Sequence, residues 1–137
     1  MEEVINSITP SLKYVFKEYG DYGIQAIYLW GSVTTEDFNP DTSDVDSIAI
    51  VNDRFGIELE KNIRQALQIQ SRNLNINKFG FHVLYELELR SGNHIKSPLS
   101  SLIPPRLLLL DLPNWLLICG KKYRPGDFTN NPVTHEE

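Results

Sequence analysis

Residues 24–51 read Ile-Gln-Ala-Ile-Tyr-Leu-Trp-Gly-Ser-Val-Thr-Thr-Glu-Asp-Phe-Asn-Pro-Asp-Thr-Ser-Asp-Val-Asp-Ser-Ile-Ala-Ile-Val, and this stretch decides the architecture. It opens with a short run, Ile24 to Trp30, in which only Gln25 is polar. Such a run is expected of a strand buried on both faces. Gly31-Ser32 closes it abruptly. Residues 33–43 are polar, with Asn39-Pro40-Asp41 as a turn. Residues 45–51 return to strand composition, and Asn52-Asp53 stops them.

Upstream, Val4, Ile5, Ile8, Leu12, Val15, Phe16 and Tyr19 recur at spacings of three and four, the mark of an amphipathic helix. Pro10 falls inside the pattern. Thr9-Pro10 reads as an N-cap and first helical residue, which predicts a helix over 10–19 after a separate turn, ended by Gly20. Downstream, Leu59, Ile63, Ala66, Leu67 and Ile69 share one face, predicting a helix over 57–73. Residues 79–89 alternate, with Phe79, Phe81, Val83, Tyr85, Leu87 and Leu89 on one side. Gly80, His82, Leu84, Glu86 and Glu88 lie on the other, so a strand with one packed and one polar face is predicted. Ser91-Gly92-Asn93 is a turn. Residues 98–120 then read as one or two short helices around Pro104-Pro105 and a last apolar strand over 115–119. Strands interleaved with helices make this an α/β (α+β) chain: a small mixed β-sheet flanked by helices, one domain over 1–125.

The chain has 137 residues, 41% of them hydrophobic, enough for one real core. Thirteen basic residues against 18 acidic ones give a net charge of −5, which argues against a dedicated nucleic-acid surface. Nucleotides remain within reach, because a divalent cation can neutralise phosphates where the protein supplies carboxylates. The start, Met1-Glu2-Glu3, lacks the basic residues of a secretory signal, and residues 107–119 are interrupted by Asp111, Pro113 and Asn114. No membrane anchor is expected. The single cysteine, Cys119, fits a reducing compartment, so a cytoplasmic location is expected.

The polar connection holds the chemistry. Glu36, Asp37, Asp41, Asp44 and Asp46 lie close together. The first three read as a solvated loop. A calcium loop fails, since Thr42 stands where glycine is needed and Ile48 where glutamate is needed. Asp44 and Asp46 differ. They are two apart at the mouth of an apolar strand, so both side chains leave the same face. Unpaired, they repel each other; a divalent cation turns that repulsion into ligation. On this pair alone, a metal site and an unliganded pair stand level. Gly31-Ser32 adds a turn where the backbone can approach a ligand and amides can cradle a phosphate.

Together, Ala26-Ile-Tyr-Leu-Trp-Gly-Ser-Val and Asp37-Phe-Asn-Pro-Asp-Thr-Ser-Asp-Val-Asp-Ser-Ile-Ala-Ile-Val resemble the signature of the DNA polymerase β-like nucleotidyltransferase superfamily. Within it, they look most like the minimal nucleotidyltransferases and the aminoglycoside adenylyltransferases. The resemblance implies that Gly31, Ser32 and Ser43 hold the triphosphate of a nucleotide, ATP. Asp44 and Asp46 would bind two magnesium ions. A nucleoside monophosphate, AMP from ATP, would pass to an acceptor hydroxyl with release of pyrophosphate.

Two departures stand out. Thr34, Thr35 and Glu36 occupy the place of the family's basic-glycine pair. The family's third carboxylate, near the start of the next core strand, meets His82 on the matching face. Glu86 is four residues on, about 13 Å along a strand. Either the register shifts and Glu86 is the third acid, or His82 replaces it, or the site lacks it. An active site requires the His82/Glu86 face to point towards Asp44 and Asp46. The alternative function is an inactive nucleotidyltransferase-like binding protein, such as the antitoxin of a toxin–antitoxin pair.

Other residues read as structural. Trp30, Trp115 and leucines 107–110 are core. Cys119 is a buried, inert thiol, and Lys121, Lys122 and Arg124 are a solvated cluster. His94 and His135 receive no role. After Phe128, Thr129-Asn-Asn-Pro reads as a linker, so residues 126–137 are expected to be a linker or tail. Thr134 followed by Glu137 forms a capping box with no helix after it. The expectation is that a second, helical domain begins there.

Overall fold

The computed structural model describes residues 2–35, 39, 44–74 and 76–128, with Ser32 described in its backbone alone. Glu36, Asp37, Asp41 and Ser43, the Ser32 hydroxyl, the linker at 129–132 and the capping box at 134–137 lie outside the described residues.

Helix α1 (Glu2–Tyr19) is longer than its sequence suggests, because it runs through Pro10. Proline removes one helical hydrogen bond. Here it stands on the exposed side, while Ile8, Leu12 and Val15 are buried in an apolar stripe that continues across it. That stripe offsets the lost bond, so the separate turn expected before Pro10 does not form. Strand β1 (Ile24–Trp30) follows, then β2 (Asp44–Val51), α2 (Glu58–Ser71) and β3 (Lys78–Tyr85). Three short helices come next: α3 (Glu86–Ser91), α4 (Pro98–Leu102) and α5 (Pro105–Asp111). Strand β4 (Leu116–Gly120) closes the sheet, and a 3-10 turn (Pro125–Asp127) comes after it.

The sheet order is β3-β2-β1-β4. Strand β1 runs antiparallel to β2 and β4, while β2 and β3 are parallel and joined through α2. The sheet is therefore mixed, as expected. One face packs against α1 and α2 through Ile27, Leu29, Ala49, Phe79, Phe81, Val83 and Tyr85, all buried with Ile63 and Leu67 of α2. Each large apolar side chain enclosed this way contributes about 1.5–3 kcal/mol. The other face carries Tyr28, Ile48, Ile50 and Leu84, covered by Leu89, Leu99, Leu108, Leu109 and Trp115. Among the described residues no helix is long and apolar enough to cross a membrane.

The alternation over 79–89 does not produce one strand. It ends at Tyr85, and α3 begins at Glu86. The cause is Glu88. Its Oε1 accepts the Tyr85 amide at 3.0 Å, capping the helix, and Gly92 terminates it in the left-handed region at φ 76°. Leu87 is thereby turned out to solvent, while Leu89 is buried.

Candidate active site

Among the described residues, the second sheet face is covered by residues of α3 to α5 and Trp115. Where β2 begins, the register sets Asp46 between Trp30 of β1 and Gly80 of β3. Asp44 lies opposite Lys78, and His82 opposite Ile48. Strand alternation puts Asp44, Asp46, Gly80 and His82 on one face. Asp46 and His82 meet, with Oδ1 and Nε2 3.4 Å apart and each side chain about one-third exposed (35% and 33%). Asp44 is half-buried, and its Oδ1 accepts a hydrogen bond from Asn77 Nδ2 at 3.0 Å.

Two glycines shape this corner. Gly31 has φ +78°, and a Cβ there would lie 3.9 Å from Asp46 Oδ2. The positive φ starts a 3-10 turn, Gly31–Thr34, in which the Thr34 hydroxyl donates to Gly31 O at 2.8 Å. That turn stands beside the aspartate. At Gly80 a Cβ would collide with Asp46 Oδ1 and come within 3.5 Å of His82 Nε2. Glycine thus lets the Asp46 carboxylate lie against residue 80, beside the His82 imidazole.

Aromatic rings fix the imidazole. Trp30 stands edge-on to His82, with centroids 5.6 Å apart and planes at 86°, and contacts Trp115 at 5.9 Å. The Trp30 indole N–H is buried without a hydrogen-bond partner among the described residues. A cavity of about 440 Å³ is lined by Gly31, Thr34, Thr35, Asp111, Asn114 and Trp115. Asp111 organises its far wall, accepting hydrogen bonds from Trp115 Nε1 at 2.8 Å and Asn114 Nδ2 at 3.2 Å. Trp115 is core, as its sequence context suggests, but it is also a cavity wall. The spacing of Asp111 and Trp115, four residues apart, was the available signal for that arrangement.

Glu86 does not join the aspartates. Strand β3 stops before it, and its carboxylate accepts the Tyr123 hydroxyl at 2.9 Å instead. Burial, reinforced by Glu86, pushes the Tyr123 phenol up, so it remains a proton donor. In this structure Glu86 instead ties Tyr123, in the segment after β4, to α3. Among the described residues no three His, Cys, Asp or Glu side chains converge. Burial pushes the Cys119 thiol up to about 11, against the attraction of Lys13, and nothing here activates it.

The donor set nevertheless fits a divalent cation. Magnesium is commonly held by one or two carboxylates, its remaining positions filled by water and substrate phosphates. Asp46 offers a partly exposed carboxylate, with Asp44 on the same face.

No protein-family model matches the sequence, and no curated protein does either. Comparison of folds finds the spectinomycin adenyltransferase of Enterococcus faecialis, solved with ATP and spectinomycin, at a TM-score of 0.56 and 16% identity. The match covers 97% of this chain and 61% of that one, so the chain spans somewhat under two thirds of that protein's length. The fold is nucleotidyltransferase-like: a four-stranded mixed sheet flanked by helices.

Proposed function

We propose that this chain is a nucleotidyltransferase domain that binds ATP with magnesium and transfers AMP to an acceptor hydroxyl. The observation that carries the reading is the corner where Asp44 and Asp46 leave one face of β2 beside the turn that starts at Gly31. Backbone amides of Gly31 and Ser32, with Ser43, hold the triphosphate. Asp44 and Asp46 hold magnesium, two ions when nucleotide is bound. When bound, the cation neutralises phosphate charge and stabilises the attacking and leaving oxygens. The acceptor oxygen bonds to the α-phosphorus as the bond to pyrophosphate breaks, and the hydroxyl proton is lost to the medium. The chain's own contribution is positioning, which supplies a large share of such rate enhancements. ATP enters this reading through the fold neighbour, which was solved with ATP.

One observation favours a second reading. Among the described residues no third acid approaches Asp44 and Asp46, and Glu86 is committed to Tyr123. A nucleotidyltransferase-like domain without that acid serves as a binding partner, such as an antitoxin. Calorimetric titration of magnesium-ATP into the full chain separates the two. The enzyme reading expects binding that is lost in Asp44→Ala/Asp46→Ala; undetectable binding at millimolar nucleotide contradicts it.

A further inference from the structure

The cavity of about 440 Å³ lies where β1 ends and β4 begins, between the turn that starts at Gly31 and residues 111–115. It shares Gly31 with the carboxylate corner, since a Cβ on that residue would stand 3.9 Å from Asp46 Oδ2. Its volume falls within the range of about 300–1,000 Å³ usual for small-molecule sites. A ligand whose phosphates meet the Gly31 turn therefore has room for its remaining part here. Among the described residues that line the cavity none is basic, and Asp111 is exposed. That carboxylate repels phosphate, so the uncharged end of a nucleotide belongs at its wall.

The polar groups of this wall hold one another in place. Asp111 Oδ2 accepts from Trp115 Nε1 at 2.8 Å, and Oδ1 accepts from Asn114 Nδ2 at 3.2 Å. An ionised carboxylate takes about four hydrogen bonds, so acceptor capacity remains, and Asn114 Nδ2 has a second hydrogen. Trp115 is buried, which anchors the carboxylate it binds. The wall thus offers an acceptor beside a donor. Adenine carries the matching edge, a 6-amino donor beside the N1 acceptor. Hypoxanthine reverses both, with a 6-oxo acceptor beside an N1–H donor.

We propose that this cavity receives the base of the nucleotide, and that Asp111, with Asn114, selects a 6-amino purine over a 6-oxo purine. The proposal rests on the reading of the Gly31 turn as the triphosphate site, which fixes where the base can reach, and it adds the group that chooses the base. A cavity that holds the acceptor in place of the base is the contrary case.

The test titrates ATP and inosine triphosphate, each with magnesium, into the full chain by calorimetry. ATP should bind about tenfold more tightly, the size of a polar group left mismatched. Asp111→Asn puts a donor on the wall in place of an acceptor, and should bring inosine triphosphate at least level. The indole N–H NMR signals of the two tryptophans report the place of binding. ATP should shift the Trp115 signal, whose N–H is bonded to Asp111, while inorganic triphosphate, which has no base, should leave it unmoved. Equal wild-type affinities, an unchanged ratio in Asp111→Asn, or a Trp115 signal that ATP leaves alone or inorganic triphosphate moves equally would each overturn the proposal. The wild-type measurements decide even if the variant does not fold. ATP and inosine triphosphate bound equally removes the base pocket and leaves the nucleotide reading; no binding of either removes both.

Discussion

Two acidic sites on the same chain are built in opposite ways. Glu88 is fully buried, and its carboxylate accepts the amides of Tyr85, Ile95, Lys96 and Ser97 at 2.8–3.2 Å, with the Ser100 hydroxyl as a further donor. Asp46 is partly exposed, and its hydrogen-bonding neighbour among the described residues is His82 at 3.4 Å. Folding has saturated the first carboxylate and left the second open. A buried charge persists only when donors surround it, whereas a carboxylate meant for a ligand must keep its lone pairs available. Saturation marks Glu88 as a structural acid, and the exposure of Asp46 is what the proposed role requires.

The sharpest way to break that comparison is to remove each acid in turn. Glu88→Ala removes the acceptor of four amides, two of them in the buried residues Tyr85 and Ser97, and should cost about 4 kcal/mol of stability by urea denaturation. Asp46→Asn should stay within about 0.5 kcal/mol of the wild type. A stability loss at Asp46 as large as at Glu88 would make Asp46 a structural residue.

Gly80→Ala sharpens the contrast from the other side. The added methyl pushes Asp46 out of place while burying no polar group. Magnesium-ATP affinity should fall about tenfold, the size expected for disturbing a ligand's support, with a far smaller change in denaturation midpoint. Unchanged affinity would show that the placement of the Asp46 carboxylate against Gly80 is not used.

A smaller effect follows from proton linkage. Burial alone would raise the Glu88 carboxyl, but the hydrogen bonds from Ser100, Ile95, Tyr85 and Ser97 outweigh it and hold the group below its ordinary value of 4.5. A depressed carboxylate contributes stability that is fully present above its unfolded pKa and lost as pH falls through the folded one. Melting temperature should therefore be insensitive to this group at neutral pH and drop as the solution is acidified below 4.5. In Glu88→Gln that part of the acid slope should disappear. A slope identical to the wild type would contradict the assignment.

Much of this was legible in the residues, and the gaps have physical causes. The apolar runs of β1 and β2 read directly as strands because burial on both faces leaves no room for polar groups. The Asp44–Asp46 spacing revealed a shared face because strand periodicity is two. Pro10 misled because local propensity was weighed against a stripe whose strength lies in tertiary contacts with the core. The end of β3 misled for a related reason. Leu87 and Leu89 continue the alternation perfectly, and the strand ends because Glu88 collects amides from residues up to Ser97, a pattern no period reveals. Glu86 was consequently placed on the site face, when the short helix hands it to Tyr123. Of the two substitutes considered for a third acid, only His82 reaches Asp46, which strand register alone suggested.

The central proposal is that Asp44 and Asp46, on one face of β2, serve a cation and a nucleotide. Its most direct test is calorimetric titration of magnesium-ATP into the full chain, the wild type beside Asp44→Asn/Asp46→Asn, with both melting temperatures recorded. The account predicts measurable binding to the wild type, none to the variant, and melting temperatures that agree closely. A variant that binds ATP as well as the wild type, or that unfolds while the Glu88→Ala protein stays stable, would contradict it.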